Sequence, residues 1–161
     1  MNILSTFYPK PISTSFINAI QKGDIETTQN LLSSLQKTNL LRSVLTTKDP
    51  AGYTPLMLAA KEGHSEITSN IIRACNLELL KDIVTEQDNL GHTSLMLAAT
   101  SEKSGSDVVI IRMLTFLESR PTLLKTTLAQ KDISNCTLAD HINKFKPIIT
   151  QFMPGLDDAH I

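Results

Sequence analysis

The residues capable of metal or catalytic chemistry are few and scattered. His92 and Cys136 each stand four positions after an aspartate, Asp88 and Asp132, a matched placing that two ligands of one zinc ion could have. In stacked helical units, however, equivalent positions lie about one helix spacing apart, roughly 8–10 Å. Two ligands on zinc bonds of roughly 2.0–2.3 Å must be much closer than that, so no metal site is expected. Asp140 and His141 are adjacent, and on a helix adjacent side chains face different ways, which argues against an acid–base dyad. Ser94 sits in a Thr-Ser-Leu context without the glycines of a nucleophile elbow, and no glycine-rich phosphate loop is present. The expectation is a chain that is not an enzyme and carries no cofactor.

The bulk composition narrows the classes further. The 161 residues are 41% hydrophobic but only 4% aromatic, with no Trp, so the core must be aliphatic. Fifteen basic against sixteen acidic residues leave a formal charge of −1, unlike a nucleic-acid-binding surface. The Lys144–Lys146 grouping reads as a solvated face. The N-terminus lacks the charged start and apolar run of a signal peptide. No stretch approaches the ~18 apolar residues of a membrane helix. Cys75 and Cys136 lack a CxxC spacing and read as free thiols of a reducing compartment. A cytoplasmic protein, with neither nucleic acid nor membrane as partner, is expected.

What organises the chain is repetition. Asp49-Pro-Ala-Gly-Tyr-Thr-Pro-Leu-Met-Leu-Ala-Ala60 returns as Asp88-Asn-Leu-Gly-His-Thr-Ser-Leu-Met-Leu-Ala-Ala99, 39 residues on, and weakly from Asp132, a further 44 on. Leu31-Leu32, Ile71-Ile72 and Met113-Leu114 form a second recurring landmark; Leu40-Leu41-Arg42, Leu79-Leu80-Lys81 and Leu123-Leu124-Lys125 form a third. Four units follow, about 13–48, 49–87, 88–131 and 132–153, between an extension at 1–12 and a tail at 154–161. Each aspartate should open a tight turn by bonding backbone amides two residues on. Gly52, Gly91 and Asn135 should supply positive φ. Thr54, Thr93 and Thr137 should cap the helices that follow, with Pro55 at the first helical position and Asp140 completing a capping box on Thr137.

The run from Gly52 to Ile67, with its Gly-x-Thr-Pro-Leu-x-x-Ala-Ala-x-x-Gly-His-x-x-Ile cadence, resembles the ankyrin repeat. The copy from Gly91 is close, and Ala19–Asp24 looks like an N-terminal capping repeat. The resemblance implies an all-α solenoid of stacked helix-turn-helix units with projecting β-turn fingers, in which His64 is a structural residue of the Gly-His turn. It also implies a non-catalytic module that binds or masks a protein partner, of unknown identity, through its fingers and concave helix face. Carried over residue by residue, the binding positions are Tyr53, Met57, Lys61, Asn89, Leu90, His92, Met96 and Ile133, and Tyr53 is favoured as an anchor. A monomer is expected. The alternative is a secreted bacterial effector, delivered to the host cell, that docks on a host protein. An enzyme would require a longer parent chain.

Three departures stand out. The family period is 33 residues, and these units are longer. The recurring Leu-Leu-basic segment, with apolar residues at i, i+1, i+4 and i+5, predicts a third short helix in each of the first three units, with Pro121 starting the last. A three-residue insertion within Ser101–Ser106 predicts a mobile loop. Met57 and Met96 replace the usual histidine, so its inter-repeat hydrogen bonding must be absent or replaced.

Overall fold

The computed structural model describes residues 9–141; the start of the extension at 1–12, the Lys144–Lys146 grouping, the end of the fourth unit and the tail at 154–161 lie outside the described residues. Among the described residues the chain forms ten helices and no strand. They are α1 (Pro9–Lys22), α2 (Ile25–Gln36), α3 (Leu41–Leu45), α4 (Pro55–Lys61), α5 (Ser65–Ala74), α6 (Leu77–Thr85), α7 (Ser94–Thr100), α8 (Ser106–Glu118), α9 (Pro121–Leu128) and α10 (Leu138–His141). The third helix is present three times, as α3, α6 and α9, and α9 begins on Pro121.

Local chemistry sets where the helices begin. Asp24 Oδ1 accepts the Thr27 N–H at 3.0 Å and Asn76 Oδ1 accepts the Leu79 N–H at 2.9 Å, each satisfying a donor the first turn leaves unpaired. Thr54 and Thr93 do the same for Met57 and Met96. Asp140 reaches back to the Thr137 N–H at 2.7 Å, which is one arm of the expected box; the Thr137 hydroxyl donates to the same carboxylate.

Packing then assembles the units. The first helices α1, α4, α7 and α10 form one row, and α2, α5 and α8 form a second. Because α4 lies between α1 and α7 as well as against α5, all six residues from Pro55 to Ala60 are buried. A seven-residue helix has no stability of its own in water. What holds it is apolar burial on every side, worth about 1.5–3 kcal/mol for each large aliphatic side chain. Ala59, Ala60, Ala98 and Ala99 let the helices of this row approach closely. The first two of the third helices are linked by charge, with Arg42 on α3 paired to both Glu78 and Asp82 on α6.

The segment at Ser101–Ser106 differs from its expectation as a mobile loop. Ser101 Oγ donates to the Lys61 carbonyl at 2.7 Å, and Lys103 pairs with Glu62 at 3.3 Å. Gly105, at φ 93, lies so close that an added Cβ would be 2.5 Å from the Gly63 carbonyl oxygen. The insertion is long enough to fold back on the turn of the preceding unit, and that contact ties it down.

Candidate functional site

The fingers are built from one repeated hydrogen-bond pattern. Asp49 Oδ1 accepts the N–H groups of Ala51 and Tyr53, Asp88 Oδ1 those of Leu90 and His92, and Asp132 Oδ1 those of Ser134 and Cys136. The residues at the tight corner, Gly52, Gly91 and Asn135, all have positive φ. Adjacent fingers are bonded to each other as well. The Asn89 N–H donates to the Ala51 carbonyl, and the Ile133 N–H to that of Leu90. Lys48 Nζ donates to the Gln87 carbonyl, and Gln87 Nε2 to that of Lys131. The result is a ladder that fixes the spacing of the finger tips.

On that ladder the eight residues proposed from the sequence separate into five groups. Leu90 and Ile133 project into solvent, 49% and 72% exposed. Tyr53 and Lys61 are half-buried and form one unit, the ammonium lying 4.4 Å from the ring centroid and 3.4 Å from the hydroxyl. Asn89 is exposed and spans two fingers, its amide donating to the Pro50 carbonyl at 3.0 Å.

Met57 and Met96 correct the expectation of a concave contact, because both are fully buried. At the third position of helices packed from both sides, their side chains point into the stack. Met57 Sδ also takes the Thr54 N–H at 3.4 Å, so the sulfur supplies the reach-back arm of the capping box. Ser94 is likewise fully buried and unavailable as a nucleophile. The His64 ring packs over Gly23 of the unit before, a structural placement.

His92 is turned into the base of the fingers. Its Nδ1 is 3.3 Å from Asp88 Oδ2 and its Nε2 is 3.8 Å from Asp132 Oδ2. His141 Nε2 is 2.8 Å from the same Asp132 oxygen, and the two rings meet edge-on with centroids 5.7 Å apart. The Cys136 N–H holds the Asp132 carboxyl below its usual range; His141 and the Ser134 N–H add to that, and burial opposes it. Adjacency in sequence concealed this arrangement: His141 pairs with Asp132, nine residues back, while Asp140 serves Thr137. The signal that could have found it is positional. His141 occupies the place nine residues after the turn aspartate that Leu58 and Leu97 hold in the earlier units.

No helix among the described residues is long and apolar enough to cross a membrane. Both cysteines are free, and burial pushes the Cys75 thiol up to about 12.

No curated protein matches this sequence. Among solved structures, the fold is similar to a chain in the crystal structure of the yeast ribosomal protein Rps3 in complex with its chaperone Yar1. The TM-score is 0.66 at 21% identity, over 93% of this chain and 95% of that one. The family model for ankyrin repeats (3 copies) matches residues 16–119, a span that runs from within α1 to the end of α8 and contains two of the three fingers. The chain belongs to the ankyrin-repeat family.

Proposed function

We propose that this chain is a non-catalytic protein-binding module that grips or masks a protein partner with its finger edge. The observation that carries the reading is the pair of exposed aliphatic tips, Leu90 and Ile133, on fingers bonded backbone to backbone. Apolar side chains held in solvent by a fixed ladder lose little conformational freedom when covered, which favours association. Tyr53 and Lys61 extend the edge with an aromatic surface and a charge. Family membership supports the same reading, as does the likeness to a structure whose title describes a chaperone in complex with a ribosomal protein. The partner proposed is a folded or nascent protein with an apolar patch of matching size.

The test is affinity capture from cell extract with the wild type and a Leu90→Ser/Ile133→Ser variant, followed by titration of each purified candidate. A partner bound by the wild type and weakened tenfold or more by the double change supports the finger edge. Partners bound equally by both proteins would rule that edge out.

A further inference from the structure

We propose that His92, Asp132 and His141 form a site for one divalent transition-metal ion of the zinc class, which pins the last repeat to the one before it. One ligand atom from each residue lies within 4.8 Å of the other two. Tetrahedral zinc with bonds near 2.0–2.1 Å separates its ligand atoms by about 3.4 Å. The distances to Asp132 Oδ2, 2.8 Å from His141 and 3.8 Å from His92, fall on either side of that figure. Small rotations of two rings that are only 21% and 18% exposed would close the geometry and leave a fourth position for water.

Three further features point to a cation. The Asp132 side chain is 3% exposed, and a buried carboxylate needs a positive partner. Among the described residues the ionisable groups it meets are the two histidines, which are positive only when protonated, so with neutral rings a metal ion would supply the charge. The second feature is Asp88, whose Oδ2 faces His92 Nδ1. An Nδ1–H donated to that carboxylate leaves the Nε2 lone pair aimed at the Asp132 oxygen, two acceptors facing each other across a gap a metal ion would fill. A carboxylate behind a ligating imidazole is the usual outer support of such sites. The third feature is the replacement at position 141: the two earlier units bury leucines, Leu58 and Leu97, where the last unit places a histidine against its own turn aspartate. Two imidazoles and one carboxylate suit zinc, nickel or copper rather than magnesium or calcium. The ligands come from the turn before α7, the turn before α10 and α10 itself, so a bound ion would fasten a four-residue helix that is too short to hold by itself.

The experiment uses the untagged full chain, stripped of metal, in wild-type, His92→Gln, His141→Gln and His160→Gln forms, titrated with ZnCl2 by calorimetry and with CoCl2 by visible absorption. The expected result is one equivalent bound by the wild type and by His160→Gln, with at least tenfold weaker binding in each of the other two, and a melting temperature that zinc raises only in the first two. The wild-type cobalt spectrum serves even if a variant unfolds: d–d bands without a thiolate charge-transfer band are expected. No stoichiometric uptake by the wild type, binding that survives both His92→Gln and His141→Gln, or a thiolate band from Cys75 or Cys136 would each overturn the proposal.

Discussion

The backbone N–H of Ile133 donates to the carbonyl of Leu90 at 3.0 Å, so the two most exposed finger tips are held by the same hydrogen bond that joins their repeats. A change of side chain at either position therefore leaves the scaffold bond intact. The Leu90→Ser/Ile133→Ser protein should unfold within about 0.5 kcal/mol of the wild type per substitution, as surface changes usually do. Urea denaturation monitored by circular dichroism measures this, and a loss of several kcal/mol would show that the tips belong to the core.

Met57→Ala should behave oppositely. The side chain is fully buried between stacked helices and accepts the Thr54 N–H. Truncation should cost about 2–5 kcal/mol through the cavity it leaves. Any loss of partner binding should then track the unfolded fraction, which denaturation and titration at the same temperature would establish.

Gly52→Ala tests the finger corner. At φ 87 any Cβ is strained, and here it would lie 2.6 Å from Asn89 Oδ1 and 2.7 Å from the Asn89 backbone nitrogen. The neighbouring finger cannot retreat without breaking its bond to Ala51. A loss of about 1–3 kcal/mol is expected, read from the urea midpoint.

The Asp24 carboxyl is held below its usual range, mainly by the N–H of Thr27 and then by the Thr27 side chain, with Lys22 adding a small attraction. A carboxyl whose folded pKa is depressed adds stability above its unfolded pKa of about 3.9 and loses it as pH falls through the folded value. Asp24→Asn keeps an acceptor for the cap but removes the titration. The gap in urea midpoint between wild type and variant should thus narrow between pH 6 and pH 2.5; a gap that stays constant would exclude the carboxylate as its source.

Cys75 should resist alkylation. Burial raises its thiol to about 12, and Sγ is 3.2 Å from the Ile71 carbonyl, so little thiolate exists at pH 8. Iodoacetamide labelling of the folded chain followed by peptide mass spectrometry should find Cys136 modified well before Cys75, with the difference abolished in urea.

Much of the architecture was legible in the residues because it is local. An aspartate that bonds two amides ahead, a glycine or asparagine at the corner, and a threonine before the first apolar residue act over five or six positions, and each recurs in order. The third helix of the longer units was legible for the same reason: its i, i+1, i+4, i+5 pattern and Pro121 lie within one segment. Resemblance to the family supplied the stacking, and with it the expectation of a finger surface.

Side-chain environments that depend on two or three units at once were settled by the tertiary structure. Met57 and Met96 read as concave-face residues because the family resemblance assigns positions along one helix, whereas burial here comes from helices on both sides of α4 and α7. The Ser101–Ser106 insertion reads as a free loop until its partners Lys61 and Glu62, about 40 residues earlier, are beside it. As a set, His92, Asp132 and His141 form no local motif, because they come from two turns and a helix spread over two units. The chain itself determined a repeated turn-and-helix unit, since short-range hydrogen bonds and caps are encoded within a few residues. Only stacking decided which of those residues meet, because the contacts between units form where separate turns are brought to one helix spacing.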